Sequence, residues 1–281
     1  MNTQDASNDD SYVPRFNIQE TKRELEEYYQ IISPELKRIK QQNISPEIVS
    51  IFDACKNNNI HVTIKLLDND LNVNTEYEDK TLLYTACELN HIYIARILLD
   101  RGANINWQNS NGLTSLHVAC YNGFPNIVHL LLNKSANINK QSKNGSTSLI
   151  YACRIRSIII VKLLLENKAD INLRDNEGCT PLHIACKNKQ VDLVQLLLDK
   201  DADVTLVNRE GLTSMDIIKN IDIIEKSNTH NIYKESDSDN YQESDTQQIL
   251  RYLNMKYKNL HICNSFKEHT NKNNMDVSEN L

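Results

Sequence analysis

Gly178-Cys179-Thr180-Pro181-Leu182-His183-Ile184-Ala185-Cys186 leads into Val191-Asp192-Leu193-Val194-Gln195-Leu196-Leu197-Leu198, and then into Ala202-Asp203-Val204. Thr180 before Pro181 marks a helix start: the hydroxyl can accept from an orphan amide, and proline is preset for the first helical position. Leu182, Ala185 and Cys186 then fall on one face at helical spacing. A second short helix follows, with Leu193, Leu196 and Leu197 as its apolar stripe. Outward from this stretch, the Ala-Cys pair recurs at Ala54-Cys55, Ala86-Cys87, Ala119-Cys120, Ala152-Cys153 and Ala185-Cys186, in steps of 32, 33, 33 and 33 residues. Units of this length cannot bury their own apolar face, so a fixed period predicts a stack in which each unit leans on the next.

Thr-Pro-Leu-His, the small pair after it, a leucine-rich second helix and an Ala-Asp-Val tail resemble the ankyrin-repeat family. Asn111-Gly112-Leu113-Thr114-Ser115-Leu116-His117-Val118-Ala119 keeps most of the pattern, and Asn144-Gly145-Ser146-Thr147-Ser148-Leu149-Ile150-Tyr151-Ala152 lacks the histidine. Thr81-Leu82-Leu83-Tyr84-Thr85-Ala86 lacks both proline and histidine, and Ile51-Phe52-Asp53-Ala54 is more degenerate still. Every copy supplies paired leucines, at Leu66-Leu67, Leu98-Leu99, Leu131-Leu132, Leu164-Leu165 and Leu197-Leu198. The resemblance implies an all-α solenoid of helix-turn-helix units with short β-hairpin loops. The family favours glycine between its two helices and again after the second; here those places hold Asn58, Asn90, Gly123, Arg156 and Lys189, then Asp70, Gly102, Ser135, Lys168 and Asp201. A left-handed arginine, lysine or serine costs roughly 1 kcal/mol, so repeats four and five are expected to have looser turns.

The organisation that follows is a disordered arm over 1–16, a helical cap over 17–44, and an array over 45–219. Its repeats are 45–77, 78–110, 111–143, 144–176 and 177–209, with a partial sixth from 210. The cap rests on the spacing of Ile18, Leu25, Tyr28, Tyr29 and Ile32, and its role is to shield an apolar end or to bind a partner. An acidic insertion over 220–246, carrying Glu235, Asp237, Asp239, Glu243 and Asp245, displaces the second helix of the sixth unit to 247–265. A disordered tail over 266–281 ends the chain.

Composition narrows the chemistry. A net charge of −6 opposes phosphate backbones, so nucleic-acid binding is not expected. No apolar run reaches the roughly 20 residues of a membrane helix, and the polar acidic start, Met1 to Asp10, does not read as a signal peptide. Of seven cysteines, five share one register behind the alanine and read as small buried hydrophobes; Cys179 and Cys263 lie outside it and are candidates for exposure. Unpaired cysteines fit a reducing compartment, cytoplasmic or nuclear. No cofactor or metal is expected: six glycines leave no phosphate-cradling loop, and no zinc or nucleophile-elbow signature is present. The chain does not read as an enzyme.

The resemblance implies binding through hairpin tips and the concave face of the first helices. Carried onto this chain, the candidate partner-binding residues are Tyr77 and Trp107 on tips, Val118, Tyr121, Tyr151, Arg154, Ile184 and Lys187 on the concave helices, and Arg174 on a later tip. Trp107, the only tryptophan, reads either as an anchor or as a cover for a neighbouring hairpin. Lys140, Lys143, Arg154, Arg156, Arg174, Lys187 and Lys189 make repeats four and five basic, a docking surface for an acidic partner or for this chain's own 235–245 stretch. Ser236, before Asp237 and Asp239, is a candidate phosphorylation site that would strengthen such docking. Asn74, Asn106, Asn139 and Asn172 are expected to tie adjacent hairpins together. The functional reading is a protein-binding adaptor or scaffold. The alternatives are a regulator or substrate receptor of ubiquitin or proteasome machinery using the C-terminal segment, and, further off, an enzyme or nucleic-acid binder.

Overall fold

In a computed structural model, residues 45–229 and 244–258 are described. The expected arm over 1–16, the cap over 17–44 and the tail over 266–281 lie outside those residues. Within them, helix pairs succeed one another: α1 (Pro46–Lys56) with α2 (Ile60–Asp68), α3 (Leu82–Glu88) with α4 (Ile92–Asp100), and α5 (Ser115–Tyr121) with α6 (Pro125–Asn133). Then come α7 (Ser148–Arg154) with α8 (Ile158–Glu166), α9 (Pro181–Lys187) with α10 (Val191–Asp199), and α11 (Ser214–Thr229). A last helix, α12, spans 245–258. Each first helix packs on the next, from α1 through α11, and the second helices form an outer layer.

The Ala-Cys rungs line up inside this stack. Ala54, Ala86, Ala119, Ala152 and Ala185 and the cysteine after each are fully buried. Burial raises all five thiols, Cys55 and Cys153 to about 12, so they stay neutral and act as packing. Cys179, expected nearer the surface, is buried as well, because its backbone N–H is drawn in to Asp175 Oδ1 at 2.9 Å.

Helix starts follow the threonine signal. Thr81, Thr114, Thr147 and Thr180 each accept from the backbone N–H three residues on. In two units the histidine completes the cap. His117 Nδ1 accepts from Thr114 N–H at 3.0 Å while its Nε2 donates to the carbonyl of Lys140 at 2.9 Å. His183 does the same with Thr180 and, in the following unit, Leu212. In the sixth unit Asp216 stands in that register and only caps Thr213, its oxygen 3.0 Å from the Thr213 nitrogen. A carboxylate suffices there, since a cap needs only an acceptor.

Adjacent units are also laced by polar ladders. The side-chain oxygens of Asn74, Asn106, Asn139 and Asn172 accept from the backbone N–H of Asn104, Asn137, Asp170 and Asp203, at 2.6–2.9 Å. At the tips, the N–H groups of Lys143, Asn176 and Arg209 donate to the carbonyls of Asn111, Asn144 and Glu177 at 2.8–2.9 Å. That approach leaves no room for a side chain: a Cβ on Gly145, at φ +77°, would sit 2.6 Å from the Asn176 nitrogen. Asp79 occupies the equivalent place in the second unit at φ 60°, and its carboxylate takes the Ser110 N–H directly. Among the described residues only the first tip forms a ladder of strands, β1 (Glu76–Tyr77) with β2 (Lys80–Thr81), and the last contributes one bridge, Val207 to Thr213. The tips between them are turns. Asn109, Asp175 and Asn208 close theirs by accepting backbone N–H groups on their own side chains, as such residues favour.

All ten of these turn positions, from Asn58 to Asp201, adopt left-handed backbone, the eight without glycine as well as Gly102 and Gly123. The looser turns expected in repeats four and five do not appear. Ala169 N–H reaches Leu164 O at 3.0 Å and Ser157 N–H reaches Ala152 O at 3.1 Å, against 2.9 and 3.0 Å where Gly102 and Gly123 precede. The strain is absorbed without opening the turn.

The C-terminal end departs from expectation. The acidic insertion is expected from 220, yet α11 runs on to Thr229, giving 16 residues where the first helices of repeats two to five have 7. The place of the left-handed turn falls on Asp222, which stays helical within α11. The returning α12 closes the stack with Ile249 and Leu253 fully buried, and Lys256 Nζ binds the Leu198 carbonyl at the end of α10 at 2.8 Å. A cation there suits the negative pole of a helix.

Two stability predictions follow from these contacts. Lys168 is exposed at φ 65°, so Lys168→Gly should raise the urea-unfolding free energy by about 1 kcal/mol while Lys168→Ala does not. Burial lowers the His117 pKa to about 4, and lowers that of His183. The folded chain therefore refuses a proton that the unfolded chain accepts near 6.5, and stability falls as pH drops from about 6.5 to about 4. His117 alone accounts for a loss on the order of 3 kcal/mol; His117→Asn should be less stable at pH 7 and lose less on acidification, read by thermal melts.

Candidate functional site

The first helices of repeats two to five each carry at their last turn a residue of one row, Glu88, Tyr121, Arg154 and Lys187, spaced by the repeat. Early in the row the charges are spent within the protein. Lys80 Nζ bonds Glu88 at 2.6 Å and lies 6.0 Å from the Tyr84 ring. Lys56 bonds Glu78 at 3.6 Å and lies over Tyr77. From the third repeat onward the row opens. Tyr121 is 59% exposed, and its ring is braced edge-on by Tyr151 at 6.1 Å. Lys187 is exposed with no ion pair among the described residues.

The expected contact residues therefore divide. Val118, Tyr151 and Ile184 are buried, at 6%, 9% and 8% exposure, and cannot serve as free anchors. Tyr151 is enclosed by His117, Tyr121 and Arg154, its ring 5.7 Å from that of His117. Tyr77 is half-buried against Phe52 at 5.4 Å. Trp107 covers a neighbouring hairpin: its Nε1 donates to Glu76 at 2.6 Å and its ring meets Tyr84 edge-on at 6.1 Å. Arg154 is held by Asp175 at 3.0 Å and sits 5.6 Å over Tyr151. Tyr121, Arg174 and Lys187 remain exposed, as does Arg154 with its charge taken by Asp175. Ser236 lies outside the described residues.

The basic set likewise splits over two surfaces. Lys143, Arg174 and Lys187 belong to the tips and concave side. Arg156 and Lys189 sit instead on the turns between helices, where they line a cavity of about 420 Å³ together with Asp245 at the start of α12. Gln190 lies in the same cavity, its Nε2 donating to the Cys153 carbonyl at 2.9 Å.

Sequence reading missed two features. Asp175 is a buried counter-ion, 7% exposed, that also closes its own turn; its register with Asn109 and Asn208 is the signal that could have found it. Gln108 and Gln141 clamp neighbouring tips, each amide donating to a carbonyl of its own turn and to one in the next unit at 2.6–3.1 Å. Among the described residues no group of His, Cys, Asp or Glu could hold a metal ion, and no helix is long and apolar enough to cross a membrane.

A family model for ankyrin repeats in three copies matches residues 51–142 and again 116–208, together more than half of the chain. No curated protein matches it. With its stacked units, threonine caps and histidine ties, the chain belongs to the ankyrin-repeat family.

Proposed function

We propose that this chain is a non-catalytic adaptor that grips a partner protein with the concave face and tips of its later repeats. Repeats of this family are protein–protein interaction modules, and proteins built from them are typically non-enzymatic scaffolds. The observation that carries the reading here is Tyr121, an aromatic ring held out at 59% exposure by the Tyr151 edge beneath it. A pre-ordered aromatic loses little entropy on binding and is a frequent energetic anchor. A reducing compartment, cytoplasm or nucleus, suits the buried free thiols. The receptor reading, which needs the C-terminal segment free, draws less support, since Ile249 and Leu253 are spent on closing the array.

An intramolecular contact accompanies this surface. The acidic stretch re-enters the described residues at Ser244 and Asp245, beside Arg156 and Lys189. Charge complementarity thus supports docking of that stretch on the inter-helix turns, a surface distinct from the concave face. Phosphorylation of Ser236 would strengthen the contact by adding charge.

Affinity capture tests the main reading. Leu89→Glu with Tyr121→Glu should lose partners that the intact chain retains, whereas Tyr93→Glu with Ile159→Glu, more exposed and on the outer layer, should keep them. Partners lost only from the outer-layer variant would place recognition on the other side. For the acidic stretch, tryptic cleavage after Lys234 should accelerate in Arg156→Ser/Lys189→Ser and in high salt. An unchanged rate in both would rule out the docking.

A further inference from the structure

Each hairpin tip along the array receives a main-chain N–H from the tip that follows it. Asp79 takes that of Ser110 on its carboxylate at 2.8 Å, and the carbonyls of Asn111, Asn144 and Glu177 take those of Lys143, Asn176 and Arg209 at 2.8–2.9 Å. The three carbonyl tips keep a glycine at the next position. A Cβ on Gly112, Gly145 or Gly178 would lie 2.7, 2.6 or 2.9 Å from the arriving backbone nitrogen. Left-handed backbone alone does not force that choice, since Ser135, Arg156, Lys168 and Lys189 adopt it with side chains. Glycine on these tips marks where another backbone comes close.

Gly211 repeats this arrangement on the last tip. Its N–H closes the turn on the Asn208 carbonyl at 3.0 Å, and the bridge from Val207 to Thr213 holds the hairpin together. Yet among the described residues nothing stands within 4 Å of where a Cβ would sit, and the Glu210 carbonyl, in the register of Asn111, Asn144 and Glu177, has no donor. Two side-chain registers change here as well. Thr205, in the register of Asn172, bonds Asp203 of its own hairpin at 2.6 Å, and Val207, 42% exposed, falls in the register of Gln108 and Gln141. We propose that this open tip takes an extended segment of a partner protein, one of whose main-chain N–H groups donates to the Glu210 carbonyl while an aliphatic side chain lies on Val207. The inference rests on the protein-recognition reading above and adds a main-chain contact to it. A second copy of this chain does not fit the edge: a hairpin stacked there would find no asparagine to take its amide, as Asn74, Asn106, Asn139 and Asn172 do at each earlier boundary. Arg209 and Glu210 beside the site are exposed and of opposite charge, so it selects by backbone and shape. Where an extended segment adds to an exposed edge, main-chain bonds give affinity and side-chain positions give specificity.

The test selects a phage-displayed library of random dodecapeptides on the full chain and removes phage that also bind Gly211→Asn. Asparagine accepts left-handed backbone, as Asn58 and Asn90 do here, so this variant should melt with the intact chain while its side chain fills the approach. A synthetic peptide of the enriched sequence should contain Val, Ile or Leu and bind Gly211→Asn about tenfold more weakly. N-methylation of one of its backbone amides should abolish binding, while N-methylation of the amides on either side should not. Val207→Asp should weaken binding, and Leu89→Glu/Tyr121→Glu should leave it unchanged. The N-methyl series alters only the peptide, so it decides the matter even if Gly211→Asn melts early. No peptide that distinguishes the two chains, N-methylation tolerated at every position, or self-association of the intact chain that Gly211→Asn abolishes would overturn the proposal. Partners captured by the intact chain and lost from Leu89→Glu/Tyr121→Glu, with no such peptide found, would leave the recognition reading standing and sink this one alone.

Discussion

Close approach of neighbouring first helices at the Ala-Cys rungs is the constraint on which the rest depends. Only a methyl and a thiol separate the backbones there, and all five pairs are fully buried. A larger residue would push two units apart and break the polar ladders at the tips, whose bonds span 2.6–2.9 Å between adjacent units. Where the stack ends the constraint lapses, and Ile218 occupies the alanine register, fully buried in the same core as Ile249 and Leu253 of α12. Packing density and hydrogen-bond register are thus two expressions of one spacing.

The polar groups of the tips serve that spacing before they serve any partner. Asn74, Asn106, Asn139 and Asn172 each satisfy an amide of the next unit, and His117 and His183 reach a following carbonyl through Nε2. Because the asparagine ties and that of His183 each cross one boundary, cooperativity passes from unit to unit along the array, as nearest-neighbour stacks require. The neutral histidines suit this role, since a buried imidazolium would bring an unpaired charge into the interface.

What these duties leave over becomes available surface. In the first two repeats, Lys56, Lys80, Glu78 and Glu88 neutralise one another, and Trp107 is tied to Glu76. From the third repeat on the row holds exposed Tyr121 and exposed Lys187, with Arg154 between them taken by Asp175, and a cavity lies between α9 and α11. The proposed recognition uses what is left there, and Asp245 at the start of α12 lines a cavity with Arg156 and Lys189 on a separate edge.

The sequence by itself determined the repeat, the helix starts and the left-handed turns. Those are local: a Thr-Pro cap, a leucine pair and an asparagine at a turn act within a few residues, and the period makes each copy corroborate the others. It also determined which residues form the rungs, because burial there follows from the same register in every unit. Only the tertiary structure decided which concave residues are free. Val118, Tyr151 and Ile184 share the register of a binding face, yet all three are buried, Tyr151 against His117 and Tyr121 of the unit before it; Tyr121, one helical turn on from Val118, stays out. Likewise Arg154 and Arg156 read alike in the chain, while one is spent on buried Asp175 and the other faces the inter-helix edge beside Asp245. Exposure and pairing depend on side chains some thirty residues away or more, brought together across unit boundaries, and no local pattern encodes those distances.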